Sequence, residues 1–237
     1  MEQSPYNNPE MPPISVNEPH MALIFLLDTS ASMSHDPFVE MSGRPIDQLN
    51  AGLKRFKEQV CMDSTTKRIL DVAIIRFDED YQVVQEFRPV EEMVEIDLPA
   101  DGSSTYYSSA IRKALEMVDE RTKLFREHAP PYKPWIIFIT DGFPHDDITD
   151  IAQEINDRME KGKVSFRSLG VGQYDSKKLH ALSPNVMRLE GTDFTAFFDW
   201  VAKSMAHVSR SSPGDKPQSA RLEGNVTIDI QDTSWMN

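Results

Sequence analysis

Met21-Ala-Leu-Ile-Phe-Leu-Leu-Asp28-Thr-Ser-Ala-Ser32 is the stretch that decides the fold. Met21 to Leu27 is an unbroken apolar run, far short of the ~20 residues that span a bilayer, and a carboxylate closes it at once. Such a run suits a strand buried on both faces, as in the centre of a parallel sheet. Alternate residues of an extended segment point the same way. Asp28, Ser30 and Ser32 can therefore present a carboxylate and two hydroxyls to one point.

The same punctuation repeats along the chain. Ile46, Leu49, Leu53, Phe56 and Val60 fall at helical spacing, and Leu70 to Phe77 reads as a second strand. Tyr81 to Phe87 follows after only Asp78-Glu79-Asp80, which predicts a hairpin with a solvated tip and an antiparallel neighbour. Ala110, Ile111, Ala114, Leu115, Val118 and Phe125 mark a long amphipathic helix. Trp135-Ile-Ile-Phe-Ile139 is another buried strand and ends at Thr140-Asp141-Gly142. A helix from Ile148 to Met159 closes at Gly162. Val164 to Val171 (strand), Ser176 to Leu182 (helix), Val186 to Leu189 (strand) and a helix bearing Phe194, Phe197, Phe198, Val201 and Met205 complete the pattern. This alternation predicts an α/β fold, a doubly wound and mostly parallel sheet with one antiparallel edge strand.

Three segments are expected. Residues 1–20 carry five prolines and read as a flexible arm. Residues 21–208 form the domain. Residues 209–237 form a Ser/Pro/Gly-rich linker and a strand-like tail, in which Val226, Ile228 and Ile230 alternate with polar residues. The tail can add to the sheet edge, pair with a partner chain or stay disordered.

Composition narrows the function. The 237 residues are 39% hydrophobic and 27% charged, a globular balance. A net charge of −13, from 38 acidic and 25 basic residues, repels phosphate backbones and argues against nucleic-acid binding. The single cysteine, Cys61, excludes an intramolecular disulfide and reads as a small buried apolar residue. Residues 1–20 lack the basic start and apolar stretch of a secretory signal. With no membrane-length apolar run either, a soluble, cytoplasmic protein is expected.

Three polar clusters sit where apolar runs stop: Asp28-Thr-Ser-Ala-Ser32, Gly102-Ser-Ser-Thr105 and Thr140-Asp-Gly142. Ligands of open α/β sheets bind outside the carboxyl ends of strands, where the strand order reverses. If the strands beginning at Met21 and Trp135 flank that reversal, the clusters share one crevice. Asp28, Ser30, Ser32, Thr105 and Asp141 offer carboxylate and hydroxyl oxygens but no sulfur or imidazole. That set suits Mg²⁺ or Mn²⁺ rather than Zn²⁺.

Asp-x-Ser-x-Ser after a buried strand, a later Thr in a Gly-containing turn and Thr-Asp-Gly after another strand resemble the metal-ion-dependent adhesion site of the von Willebrand factor A-type (VWA) family. Pro45-Ile46-x-x-Leu49-Asn50-x-Gly52-Leu53 is similar to the helix that follows that motif. The resemblance covers roughly residues 21–207 and implies a Rossmann-like VWA fold. It also implies metal ligation by Asp28, Ser30, Ser32, Thr105 and Asp141. As a whole the chain resembles the TerY-like members found in bacterial tellurium-resistance and stress-response gene clusters. Two departures stand out. The loop from Ser34 to Arg44 is longer than is typical and can offer Asp36 or Glu40, and the second motif reads Asp101-Gly-Ser-Ser-Thr105 with Ser104 as a rival to Thr105.

The implied function is a metal-dependent protein-interaction module, not an enzyme, that grips an acidic group on a partner protein. Two alternatives are a metal-dependent phosphohydrolase and a scaffold subunit with a vestigial metal site. Against the first, Ser30 stands where aspartyl-phosphate hydrolases often place a second Asp as acid/base, and no nucleophile–base pair is evident. His145-Asp146-Asp147 beside the third motif can suggest general-base chemistry or a second ion, but Asp146 and Asp147 read as the first turn of the following helix, favoured by its dipole.

Overall fold

The computed structural model describes residues 17–34, 43–215 and 219–229. The apolar run becomes β1 (Met21–Asp28), every residue of which is buried. It lies inside a seven-stranded sheet with β2 (Leu70–Phe77), β3 (Tyr81–Pro89), β4 (Trp135–Thr140), β5 (Ser165–Val171), β6 (Val186–Leu189) and β7 (Val226–Ile228). The order is β3-β2-β1-β4-β5-β6-β7. Strands β2, β1, β4, β5 and β6 run parallel.

The period of two in β1 assigns its side chains to two cores. Leu23, Phe25 and Leu27 join Leu49 and Phe56 of α1 (Pro45–Met62) and Phe198 and Val201 of α6 (Thr195–Ser209). Ala22, Ile24 and Leu26 face the other way, toward Ala110 and Ile111 of α3 (Ser108–Arg126), Ile151 of α4 (Thr149–Glu160) and Leu179 of α5 (Ser176–Leu182). Helices thus cover both faces, as the unbroken apolar strands require. Beneath α3, Arg121 and Asp71 of β2 form a buried ion pair.

Three features differ from the sequence expectation. A short helix, α2 (Ser64–Ile69), precedes β2 and is capped by Asp63, whose Oδ1 accepts from the Thr65 and Thr66 N–H groups at 3.2 and 2.9 Å. The sheet has two antiparallel edges: β3 pairs with β2 through the expected hairpin, and β7 pairs with β6. Of the three fates open to the tail, the chain adopts addition to its own sheet. Cys61 is only partly buried, and its thiol is pushed up by that burial.

The tail strand is anchored at both ends. Trp200 Nε1 donates to the Ala220 carbonyl at 2.8 Å, and the Asp229 carboxylate accepts from Tyr174 Oη at 2.6 Å and Ser176 Oγ at 2.8 Å. Tyr174 lies flat over Gly170, where any Cβ would meet its ring at 2.3 Å. Most of the arm (residues 1–16), most of the long loop with Asp36 and Glu40 (residues 35–42), and Ile230 lie outside the described residues. Among the described residues no helix is long and apolar enough to cross a membrane.

Candidate metal centre

β1 and β4 are parallel neighbours, and the chain leaves them in opposite directions, to β2 on one side and β5 on the other. Their carboxyl ends therefore bound the crevice that such a reversal opens. Asp28 ends one strand and Thr140-Asp141 ends the other. The middle cluster is zipped onto the first: the Ala31 N–H donates to the Gly102 carbonyl at 2.7 Å, and Ser30 and Gly102 pair as an isolated parallel bridge.

The five side chains converge. Asp28 is fully buried; its Oδ1 accepts from the Ser30 N–H at 2.9 Å and its Oδ2 from Thr140 Oγ1 at 2.5 Å. Ser30 Oγ and Ser32 Oγ lie 3.0 Å apart, and Ser32 Oγ donates to Asp141 Oδ1 at 2.7 Å. A methyl group built on Gly142 would lie 3.2 Å from Thr105 Oγ1 and 3.6 Å from Asp28 Oδ2, so those two oxygens flank the same backbone. Thr105 itself is buried, and Ser104 is less so.

The electrostatics fit a cation. Burial pushes the Asp28 carboxyl up from its ordinary value, and the Asp78 charge adds to this. Burial first, and then the Asp28 charge, push Asp141 up to about 7. Among the described residues no ion pair joins either group to a Lys or Arg. Two adjoining carboxyls, one fully buried and one partly so, with raised affinities for protons and no paired counter-charge, are a setting in which a dication lowers the free energy. Among the described residues no group of three or more His, Cys, Asp or Glu side chains is placed to hold a metal ion. The donors are two carboxylates and three hydroxyls, all hard oxygens.

The model of the von Willebrand factor type A domain matches residues 22–200. The chain belongs to that family. Domains of this kind generally act as metal-dependent protein-interaction modules. Among solved structures, this VWA domain is similar to proximal thread matrix protein 1 of the mussel byssus, at TM-score 0.58 and 15% identity, covering 81% of this chain and 48% of that one. A second form of that protein, described with a zinc-occupied MIDAS motif, matches at TM-score 0.51 and 16% identity, covering 81% of this chain and 45% of that one. The pilus adhesin SpaC from Lactobacillus rhamnosus GG matches at TM-score 0.64 and 12% identity, with coverage of 81% and 31%. The chain thus spans less than half the length of these structures, and the likeness is one of fold. No curated protein matches the sequence.

The VWA crevice is braced by residues that the sequence did not single out. Asp78, read as part of a solvated hairpin tip, accepts from Thr29 Oγ1 at 3.0 Å, and its carbonyl accepts from the Tyr106 N–H at 2.9 Å. Its Cβ stands 2.2 Å from where a Cβ on Gly102 would be, so only glycine lets the second cluster approach. Tyr107 is buried; its hydroxyl donates to the Gly142 carbonyl at 3.0 Å and lies 3.1 Å from Thr140 Oγ1.

Asp146 requires a correction. It does not sit in the first turn of α4 but reaches across to the start of α3, where it accepts from the Tyr107 and Ser108 N–H groups at 3.0 and 2.8 Å. Those two donors have no partner within their own helix, and the carboxylate satisfies them. Asp147 alone serves α4, accepting from the Thr149 N–H at 2.9 Å. His145 Nδ1 lies 3.1 Å from the Thr105 N–H. At the rim, Phe143 and Tyr106 are exposed.

Proposed function

We propose that this VWA domain holds Mg²⁺ or Mn²⁺ on Asp28, Ser30, Ser32, Thr105 and Asp141, and binds a partner protein through that partner's acidic group. The observation that carries the proposal is the convergence of these five oxygen-bearing residues on two carboxyls, Asp28 fully buried and Asp141 partly exposed, neither of which is joined to a Lys or Arg by an ion pair among the described residues. A bound dication supplies a Lewis-acidic centre with room for an outside oxygen ligand. The chain's own groups do the rest. Thr140 and the Ser30 N–H hold Asp28 in one orientation, and Ser32 ties Asp141 to the first motif. Zinc occupies the corresponding motif of the mussel protein named above; here the all-oxygen donor set favours the harder ions.

A non-enzymatic role is supported by what the nearby side chains are already doing. Ser30 cannot serve as an acid/base at neutral pH, and His145 Nδ1 faces a backbone N–H rather than a nucleophile. The finer setting we propose is a cytoplasmic, TerY-like role in tellurium resistance or the stress response. The test is affinity capture from native lysate, split into Mg²⁺ and EDTA arms, beside the Asp28→Ala and Asp141→Ala variants. Partners retained only with Mg²⁺, and lost in both variants, support the proposal. Partners that persist in EDTA place recognition elsewhere on the surface, and metal-dependent turnover on a phosphatase panel, lost in Asp28→Asn, would replace it with hydrolysis.

A further inference from the structure

Thr105 reaches the crevice from a loop without regular structure, the segment between Gly102 and α3. A hydroxyl on such a loop is placed only as well as its backbone is held. On either side of the Thr105 side chain, one residue holds that backbone twice. The His145 N–H donates to the Thr105 carbonyl at 2.8 Å, and the Thr105 N–H points at His145 Nδ1 at 3.1 Å. Nδ1 also lies 3.3 Å from the Thr105 carbonyl; the shorter contact, to the N–H, assigns Nδ1 as acceptor with the ring hydrogen on Nε2, so that the ring replaces the carbonyl a paired strand would offer. Tyr106 stacks against the same ring, with centroids 6.1 Å apart. Asp146 adds two further bonds to the N–H groups of Tyr107 and Ser108.

We infer that His145 is a positioning residue for the metal centre, whose Nδ1 fixes the Thr105 backbone and so aims Thr105 Oγ1 at the cation. The inference rests on the metal-binding function proposed above. His145 is exposed, so removing its ring opens no core cavity. The bond therefore matters to the loop that carries Thr105 more than to the fold. Groups that orient a metal ligand from behind typically contribute about 10–100-fold to metal affinity.

The experiment is calorimetric titration of the full chain with Mn²⁺ for the parent, His145→Leu, His145→Gln and His145→Asn. Asn places its Oδ1 the same number of bonds from Cα as Nδ1 and restores the acceptor; Gln places its oxygen one bond too far, and Leu has none. The expected result is a dissociation constant about tenfold weaker for Leu and Gln, a value near the parent for Asn, and similar thermal midpoints for all four without metal. If Leu misfolds, the Gln and Asn pair carries the comparison. Parent-like affinity in Leu or Gln overturns the inference, and so does an Asn variant as weak as Gln. A parent that takes up no Mn²⁺ overturns the metal-binding function itself, a distinct and earlier failure.

Discussion

Asp28 lies out of water with only neutral hydrogen-bond donors around it. A carboxylate in that position costs stability until a cation arrives. Replacing it by Asn keeps the shape and removes the charge. Asp28→Asn is expected to melt at or above the parent without metal and to lose the upward shift that Mg²⁺ gives the parent; differential scanning calorimetry reads both. Asp141 sets the pH dependence. Below about 7 it carries a proton that a cation must displace, so Mn²⁺ affinity should weaken by up to about tenfold per unit as pH falls. In the metal-free protein the sign reverses. A carboxyl whose folded pKa is raised favours the native state at low pH, so its contribution improves as pH drops from about 7 toward the ordinary carboxylate range. Gly102→Ala would force its new methyl into Asp78, and a loss of about 1–3 kcal/mol in urea unfolding is expected. The first and third clusters stood out because Asp28 and Asp141 close apolar runs, whereas Thr105 was marked only by the Gly-containing turn before a helix. Asp78, Tyr107 and His145 were not legible, because their partners lie 28–49 residues away in the chain, and no local pattern encodes such pairings.

At the scale of elements, buried strands announced themselves by length and apolarity, and β2, α5 and β6 fall where the sequence placed them. The helix α2 escaped because its few residues cannot display a helical period; only the Asp63 cap marked it. The tail was ambiguous for a physical reason. A three-residue strand pairs wherever an edge is offered, and the sequence does not say that β6 leaves one. Pairing places Asp229 where Tyr174 and Ser176 bond its carboxylate. The α3–β2 packing depends on a charge pair that sequence spacing could not join. Arg121→Ala strands Asp71 in the interior, and a loss of about 3–5 kcal/mol is expected, measurable by chemical denaturation at neutral pH.

For the molecule as a whole, the proposed ligation would couple to folding. If the cation binds only the native chain, Mg²⁺ at a hundred times its dissociation constant adds about 2.7 kcal/mol. At this chain length that corresponds to a rise in melting temperature of roughly 5–10 °C. EDTA should abolish the rise, and Asp141→Ala should not show it. The acidic excess of the chain, −13 overall, raises the local concentration of cations and of basic partner surfaces at low salt. It does not choose among partners.

The hydrogen bonds that close the crevice join residues far apart in sequence: Ser32 to Asp141 spans 109 positions and Thr140 to Asp28 spans 112. Long loops of this kind close late, because their entropy must be lost before any contact rewards it. A ribosome has therefore to release everything through Gly142 before the proposed site can form. Refolding watched by paramagnetic Mn²⁺ should show helical signal returning first and ion capture trailing it, which makes cation uptake a reporter of the moment β1 and β4 come together.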